Sequence, residues 1–337
     1  MGDEQFRVAD GVLPETLSVS AAGPIVFRRA TGGGNQQLVS IDPESRATQI
    51  IGEPFPGDNP SLDPDGRQIS VDIVVESSRR VWLWDPGSGR NPNPFTNQED
   101  DNSNGVWSPD GQRLLVTRVT DTFPIRTGLY AMAVADPSDE IEVLAGDNLI
   151  VASDWADARG LDHQYVLFRH STTGDSYDIR ALPIDDDLVI AGDPIPVAIS
   201  DAAERDGKFS PNGQWVAYQS DKSGVYQIYA RSFPEIGPEI QISGQDGGTQ
   251  VQWSPDGTAL FYITPNGALA MVEVDPARAT LNPGPPVELF ESDLLAFPGN
   301  AYRQQYVVTP GGRILLNDAP DASNASIRMI LNWDPEG

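Results

Sequence analysis

The chain has 337 residues and sets 22 Lys and Arg against 49 Asp and Glu, a formal charge of −27 with both histidines neutral, which excludes a general electrostatic grip on nucleic acid. Cysteine is absent and histidine occurs only at His163 and His170, which removes disulfide frameworks, thiol nucleophiles, cysteine zinc sites and iron–sulfur clusters. Seven Trp, 32 Gly and 29 Pro in a 39% hydrophobic chain describe a folded, turn-rich protein and not a disordered one.

Residues 1–20 hold no uninterrupted apolar run of a leader peptide, and no stretch reaches the ~20 apolar residues of a membrane helix, so no membrane insertion is expected. Phe6 stands where a myristoylation signal needs Ser or Thr, so Met1-Gly2 reads as an expression start. A leader, anchor or catalytic domain would then lie outside this chain.

Along the chain a four-residue turn recurs: Asp63-Pro64-Asp65-Gly66, Ser108-Pro109-Asp110-Gly111, Ser210-Pro211-Asn212-Gly213 and Ser254-Pro255-Asp256-Gly257. Weaker copies are Ser20-Ala21-Ala22-Gly23, Asp157-Ala158-Arg159-Gly160 and Thr309-Pro310-Gly311-Gly312. The seven turn glycines are spaced by about 48 residues, the scale of one propeller blade. In each turn Ser or Asp caps the first position, Pro presets φ at the second, and Gly accepts the positive φ that closes a hairpin.

Behind each turn stands an alternating apolar run that reads as a second strand: Pro24–Arg29, Gln68–Val75, Arg113–Val119, Gln164–Arg169, Trp215–Ser220, Ala259–Ile263 and Arg313–Asn317. Third strands follow at Leu38–Ile41, Val81–Trp84, Leu129–Ala135, Tyr177–Ile184, Val225–Phe233, Leu269–Val274 and Ile327–Trp333, most of them stopped by Asp-Pro. Fourth strands such as Thr48–Ile51, Ile141–Leu144 and Pro286–Phe290 are short, as an outer edge allows. The expectation is a single all-β domain over 1–337: a seven-bladed β-propeller of four-stranded antiparallel blades, with Gln5–Ala9 completing the last blade beside Ile327–Trp333. Six blades is the competing count.

The aromatic-led turns Trp107-Ser108-Pro109-Asp110-Gly111 and Trp253-Ser254-Pro255-Asp256-Gly257 resemble the TolB-like, WD-repeat-like propeller repeat over nearly the whole chain. Phe209–Pro234, Gly247–Val274 and the ending Leu331-Asn332-Trp333 are similar to the C-terminal propeller of bacterial transmembrane serine/threonine kinases. That resemblance implies a sensor or protein-contact module. It implies no kinase activity here, because the glycine-rich loop with its lysine, the His-Arg-Asp loop and Asp-Phe-Gly are all missing.

In a propeller the loops that lead into inner strands share one face with the second-to-third-strand loops, opposite the Ser-Pro-Asp-Gly turns. On that face the sequence puts Asp58, Asp101, Asp154, Glu204, Asp206 and Asp246, with Arg205 and Arg303 as cations able to orient an anionic group. These eight are the candidate ligand-binding residues, and the acidic field fits a basic protein or peptide; a generally acidic, solvated surface is the bland reading. Phe123, Ile125 and Arg126 in the hairpin loop Thr120–Thr127 are candidate partner contacts, set against packing across a neighbouring blade. Asp100-Asp101-Asn102-Ser103-Asn104-Gly105 opens like a calcium loop, so Asp100, Asn102 and Asn104 are candidate ligands for Ca2+. Gly111 stands where that loop needs its bidentate Glu, which excludes an EF-hand.

His163 and His170 are seven apart on one strand and fall on opposite pleat faces, and no Gly-x-Ser-x-Gly elbow accompanies them. Gly32-Gly33-Gly34 reads as a flexible hairpin tip. No cofactor is required, and we expect a non-catalytic recognition or sensor propeller, monomeric and extracytoplasmic, since freedom from cysteine suits that setting. The alternative is a metal-assisted hydrolase or lactonase with a cation at the axis; a periplasmic assembly scaffold like TolB is a third reading.

Overall fold

The computed structural model describes residues 36–43, 45, 47–76, 78–88, 90–96, 101–120, 126–157, 163–173, 176–276, 280–291 and 304–318, with the short strands Ser18–Val19, Ile25–Arg28 and Ile327–Ile330. Six four-stranded antiparallel sheets stand around one axis. Blade 1 is Gly57–Leu62, Ile69–Val75, Ser78–Trp84 and Asn93–Pro94, and blade 2 is Asp101–Trp107, Arg113–Val119, Thr127–Ala133 and Glu140–Gly146. Blade 3 is Ile150–Asp157, Gln164–Thr173, Ser176–Ile184 and Ile195–Ala198, and blade 4 is Glu204–Phe209, Trp215–Ser220, Gln227–Ser232 and Ile240–Gln241. Blade 5 is Thr249–Trp253, Ala259–Ile263, Ala268–Glu273 and Val287–Glu291.

Blade 6 joins the two ends of the chain. Tyr306–Val308 and Ile314–Asp318 form its inner half, and Gln36–Ile41 and Thr48–Phe55 its outer half, with Leu316 in register with Val39. The propeller therefore has six blades, the second of the two counts the sequence left open. The seven-bladed arrangement fails because Ile314–Asp318 takes Gln36–Ile41 as its neighbour, leaving no place there for Ile327–Ile330. That strand pairs instead with Ile25–Arg28, in a separate three-stranded sheet with Ser18–Val19. Gln5–Ala9, expected to complete the last blade, lies outside the described residues. Two strands donated from residues 36–55 close the ring, so the seam is held by cross-strand pairing along a whole ladder.

The first strand of every blade lies innermost, and each contacts the first strand of the next blade all the way round, from blade 6 back to blade 1. Between blades lie six apolar clusters, one at each interface. The blade 4–5 cluster packs Trp215, Ile228 and Val251 with Trp253, Leu260 and Tyr262. Each blade is apolar on both faces because both are covered, which explains second strands as hydrophobic as Trp215–Ser220, buried throughout.

The recurring turns lock both their own hairpin and the next blade. In one copy Ser254 Oγ donates to Asp256 Oδ1 at 2.6 Å and accepts from Ala259 N at 2.9 Å. Gly257 has φ of 73°, and a Cβ there would stand 3.4 Å from Cδ of Pro211 in the preceding turn. Gly66 meets Pro310 in the same way across the closing seam. The aromatic before the turn also has a task. Trp107 Nε1 donates to Ser61 O of blade 1, and Trp253 Nε1 to Lys208 O of blade 4, both at 3.1 Å.

Candidate functional site

Seven residues before the turn glycines of the six blades stand Asn59, Asn104, Ser153, Asp206 and Gln250 on inner strands and Gln305 just ahead of Tyr306–Val308. In blades 1–5 the ladder register slips around this point, as a β-bulge does when it re-aims one residue. Asn59, Asn104, Asp206 and Gln250 have φ between 53° and 59°, the left-handed region that Asn and Asp tolerate better than other side chains. The result is a ring of polar residues around the axis.

Several ring members stitch blades together. Asn104 N donates to Asp72 Oδ2 of blade 1 at 3.2 Å, Gln250 N to Gln219 Oε1 of blade 4 at 2.8 Å, and Gln305 N to Gln250 Oε1 at 2.8 Å. Across the seam Gln304 N donates to Asn59 Oδ1 at 3.0 Å.

From this ring to the turn prolines Pro64, Pro211, Pro255 and Pro310 runs an axial cavity of 490 Å³ walled by all six blades. Its charged lining is Asp63, Asp154, Asp206 and Lys208. Lys208 Nζ donates to Ser153 O at 2.5 Å and stands 4.0 Å from Asp154 Oδ1, while Asp154 Oδ2 accepts from Phe209 N at 2.7 Å. Burial pushes the Asp154 carboxyl above the ordinary carboxylate range against the pull of Lys208.

Asp206 differs, since it receives no hydrogen bond from any described residue. Burial again holds its carboxyl above the usual range, opposed by Arg169, Arg205 and Lys208. Below the ring Asp72 is buried and in register with Asp58; burial first, then the Asp58 charge, raises Asp72 from 3.8 to about 7.

The structure thus brings Asp154 and Asp206 together in one cavity and places Asp58 beside it. Asp101 opens the inner strand of blade 2, half-buried. Glu204 is buried and accepts from the hydroxyls of Ser200 and Ser220 at 2.6 and 3.1 Å, and Arg205 is buried over Tyr177, 4.5 Å from the ring centroid. Both belong to the wall of blade 4. Asp246 lies apart, exposed on the opposite face.

Arg303, Asp100, Phe123 and Ile125 lie outside the described residues. Arg126 is exposed, with Nε 3.8 Å from Asp147 Oδ1. Asn102 is fully buried, and its Oδ1 accepts from Arg118 Nε at 3.0 Å; Asn104 holds the blade 2 bulge. Among the described residues no three His, Asp or Glu side chains converge as a metal site needs.

The sequence pointed to Asp206 and Asn104 but not to Lys208 or to Asn59, Ser153, Gln250 and Gln305 of the ring. The chain has only two lysines, Lys208 and Lys222, and their rarity was the available signal. The fixed distance from turn glycine to a polar residue was the other.

No family model and no curated protein matches this sequence. The comparison of folds decides the architecture. The fold is a six-bladed β-propeller, similar to that of TolB. A putative TolB from Agrobacterium tumefaciens is similar with a TM-score of 0.64 and 15% identity over 85% of this chain and 98% of that one. TolB from Acinetobacter baumannii gives 0.52 and 14%, covering 93% of this chain and 80% of its own. An oligogalacturonate lyase in complex with manganese gives 0.54 and 14%, covering 89% and 86%. Among the described residues no helix is long and apolar enough to cross a membrane.

Proposed function

We propose that this TolB-like propeller is a non-catalytic recognition module whose axial channel holds a protein, peptide or small ligand by a cationic group set against Asp206 and Asp154. The observation that carries the reading is Asp206. Its backbone is held left-handed at φ 53°, the residue lines the channel, and its carboxyl receives no hydrogen bond from the described chain. A residue kept in a sparsely populated conformation at the wall of a cavity points to use of its side chain. An ammonium or guanidinium group there would supply the hydrogen-bond donor that Arg169, Arg205 and Lys208, which act on the carboxyl only through their charge, do not.

Lys208 is engaged by Ser153 and Asp154, so it fixes the Asp154 carboxylate in the wall and keeps the channel from being uniformly negative. The two similar TolB structures support the propeller scaffold on which this reading stands, and the extracytoplasmic setting rests on the cysteine-free composition. The sensor role rests on the sequence resemblance to kinase-attached propellers. A metal-assisted enzyme is the alternative reading; one propeller of similar fold is a lyase in complex with manganese, and such an enzyme would need oxygen or nitrogen donors converging on a cation.

The test is selection of displayed peptides on the intact chain, followed by titration of the synthesised winners against wild type and Asp206→Asn. Enriched sequences should carry Lys, Arg or a required free amino terminus and lose about tenfold or more in affinity on D206N. Winners without a cation, or with equal affinity for both proteins, would contradict the proposal.

A further inference from the structure

On the loop face, away from the axial cavity, a second cavity of 380 Å³ opens between blades 4 and 5. Val225, Tyr226, Ile263 and Pro265 give it an apolar wall, and Asp221 and Asp246 stand in its lining. Val225 is 49% exposed although it flanks the buried strand Gln227–Ser232. Asp246 makes no hydrogen bond with the described chain, and Asp221 Oδ1 accepts only from Ala203 N, at 2.9 Å.

The floor is built with care. Gly247 has φ of 107°, and a Cβ there would come within 2.6 Å of Tyr226 O; a Cβ on Gly248 would come within 2.4 Å of the Tyr262 ring. Gly248 N also donates to Tyr226 O at 2.8 Å. This glycine pair lets the backbone pass between two tyrosines, so the cavity is fixed by main chain and ring contacts. Asp221 acts electrostatically on Tyr226, the aromatic wall, whose ring centroid lies 5.9 Å from the Arg205 guanidinium, and Asp246 acts on Tyr262 beyond the glycine pair.

We propose that this groove takes an arginine side chain from a protein partner. The stem would lie along Val225 and Pro265, the planar head against Tyr226, and the guanidinium donors would meet Asp221 and Asp246. Charge complementarity selects this occupant: two carboxylates rim an apolar slot on a chain of net charge −27. The groove opens on the other face from the axial channel, and Asp206 is not among its lining residues.

The experiment titrates the full chain, nitrogen-15 labelled, with acetyl-Gly-Arg-Gly-amide and with the same peptide carrying Gln for Arg. Saturating shifts are expected at Val225, Gly247 and Gly248 for the arginine peptide alone. Asp246→Asn should weaken that binding about five-fold while leaving the melting temperature unchanged, and Asp206→Asn should leave the binding as it is. Shifts absent from the groove, equal response to the glutamine peptide, or unchanged affinity in D246N would each overturn the proposal. Loss of binding in D206N would do so as well, by placing the peptide in the channel.

Discussion

Asp58 and Asp72 face each other directly across the first two strands of blade 1, two like carboxylates in register beside the axial cavity. Asp72 Oδ2 accepts from Asn59 Nδ2 at 3.1 Å and from Asn104 N at 3.2 Å, so it also ties blade 1 to blade 2. Burial, and after it the repulsion of the opposed Asp58 charge, raise the Asp72 pKa to about 7.

An acid whose pKa is raised on folding binds protons more tightly when folded, so its contribution favours the native state at low pH and is lost as pH rises through about 7. Asp72 should therefore add on the order of 3 kcal/mol to stability between pH 8 and pH 5. Asp72→Asn keeps the oxygen acceptor and removes the charge. Its melting temperature should exceed that of wild type at pH 8, and the gap should close towards pH 5; a constant gap would argue against a raised pKa at Asp72.

Removing the cation of the Lys208–Asp154 pair leaves a half-buried carboxylate without its countercharge. Lys208→Met should cost about 2 kcal/mol in urea unfolding at pH 7, and adding Asp154→Asn should recover most of it. Additive losses in the double variant would show that the two side chains are not coupled.

The turn glycines answer two demands at once, a positive φ and a neighbouring proline. Gly257→Ala should cost about 1–2 kcal/mol from the left-handed backbone alone. Gly224→Ala, also at positive φ but with open space around it, isolates the backbone part, and the loss at Gly257 should be at least as large in thermal unfolding.

The turns were the most legible feature of the sequence, because Ser, Pro, Asp and Gly each meet a local demand that no distant contact alters. The second strands around Ile69–Val75, Arg113–Val119 and Trp215–Ser220 were readable for the same reason. Blade count was not, since Gln36–Ile41 can pair with its chain neighbour or with Ile314–Asp318, and only closure of the ring distinguishes the two. Asp154 and Asp206 stood out as acidic positions near inner strands, but their meeting in one cavity depends on bulges that a period-two pattern conceals. The cavity reaches towards the turn face, opposite the face expected to carry the contacts, because the bulges stand at one end of the channel and the turn prolines at the other.

Ligand affinity in the channel should rise with pH wherever Asp206 titrates. Its carboxyl is held above the ordinary range, and a cationic ligand binds the ionised form, so binding strengthens as pH rises through that raised value. Calorimetric titration of a selected cationic peptide from pH 4 to pH 7 checks this, and affinity that stays level in wild type would count against Asp206 as the receiving group.

Hydrogen exchange of the intact chain with and without such a peptide tests channel recognition most directly. New protection is expected only in the inner strands Gly57–Leu62, Asp101–Trp107, Ile150–Asp157 and Glu204–Phe209, and should be absent in D206N. Protection on the outer strands Val287–Glu291 or Glu140–Gly146, with the inner strands unchanged, would contradict it.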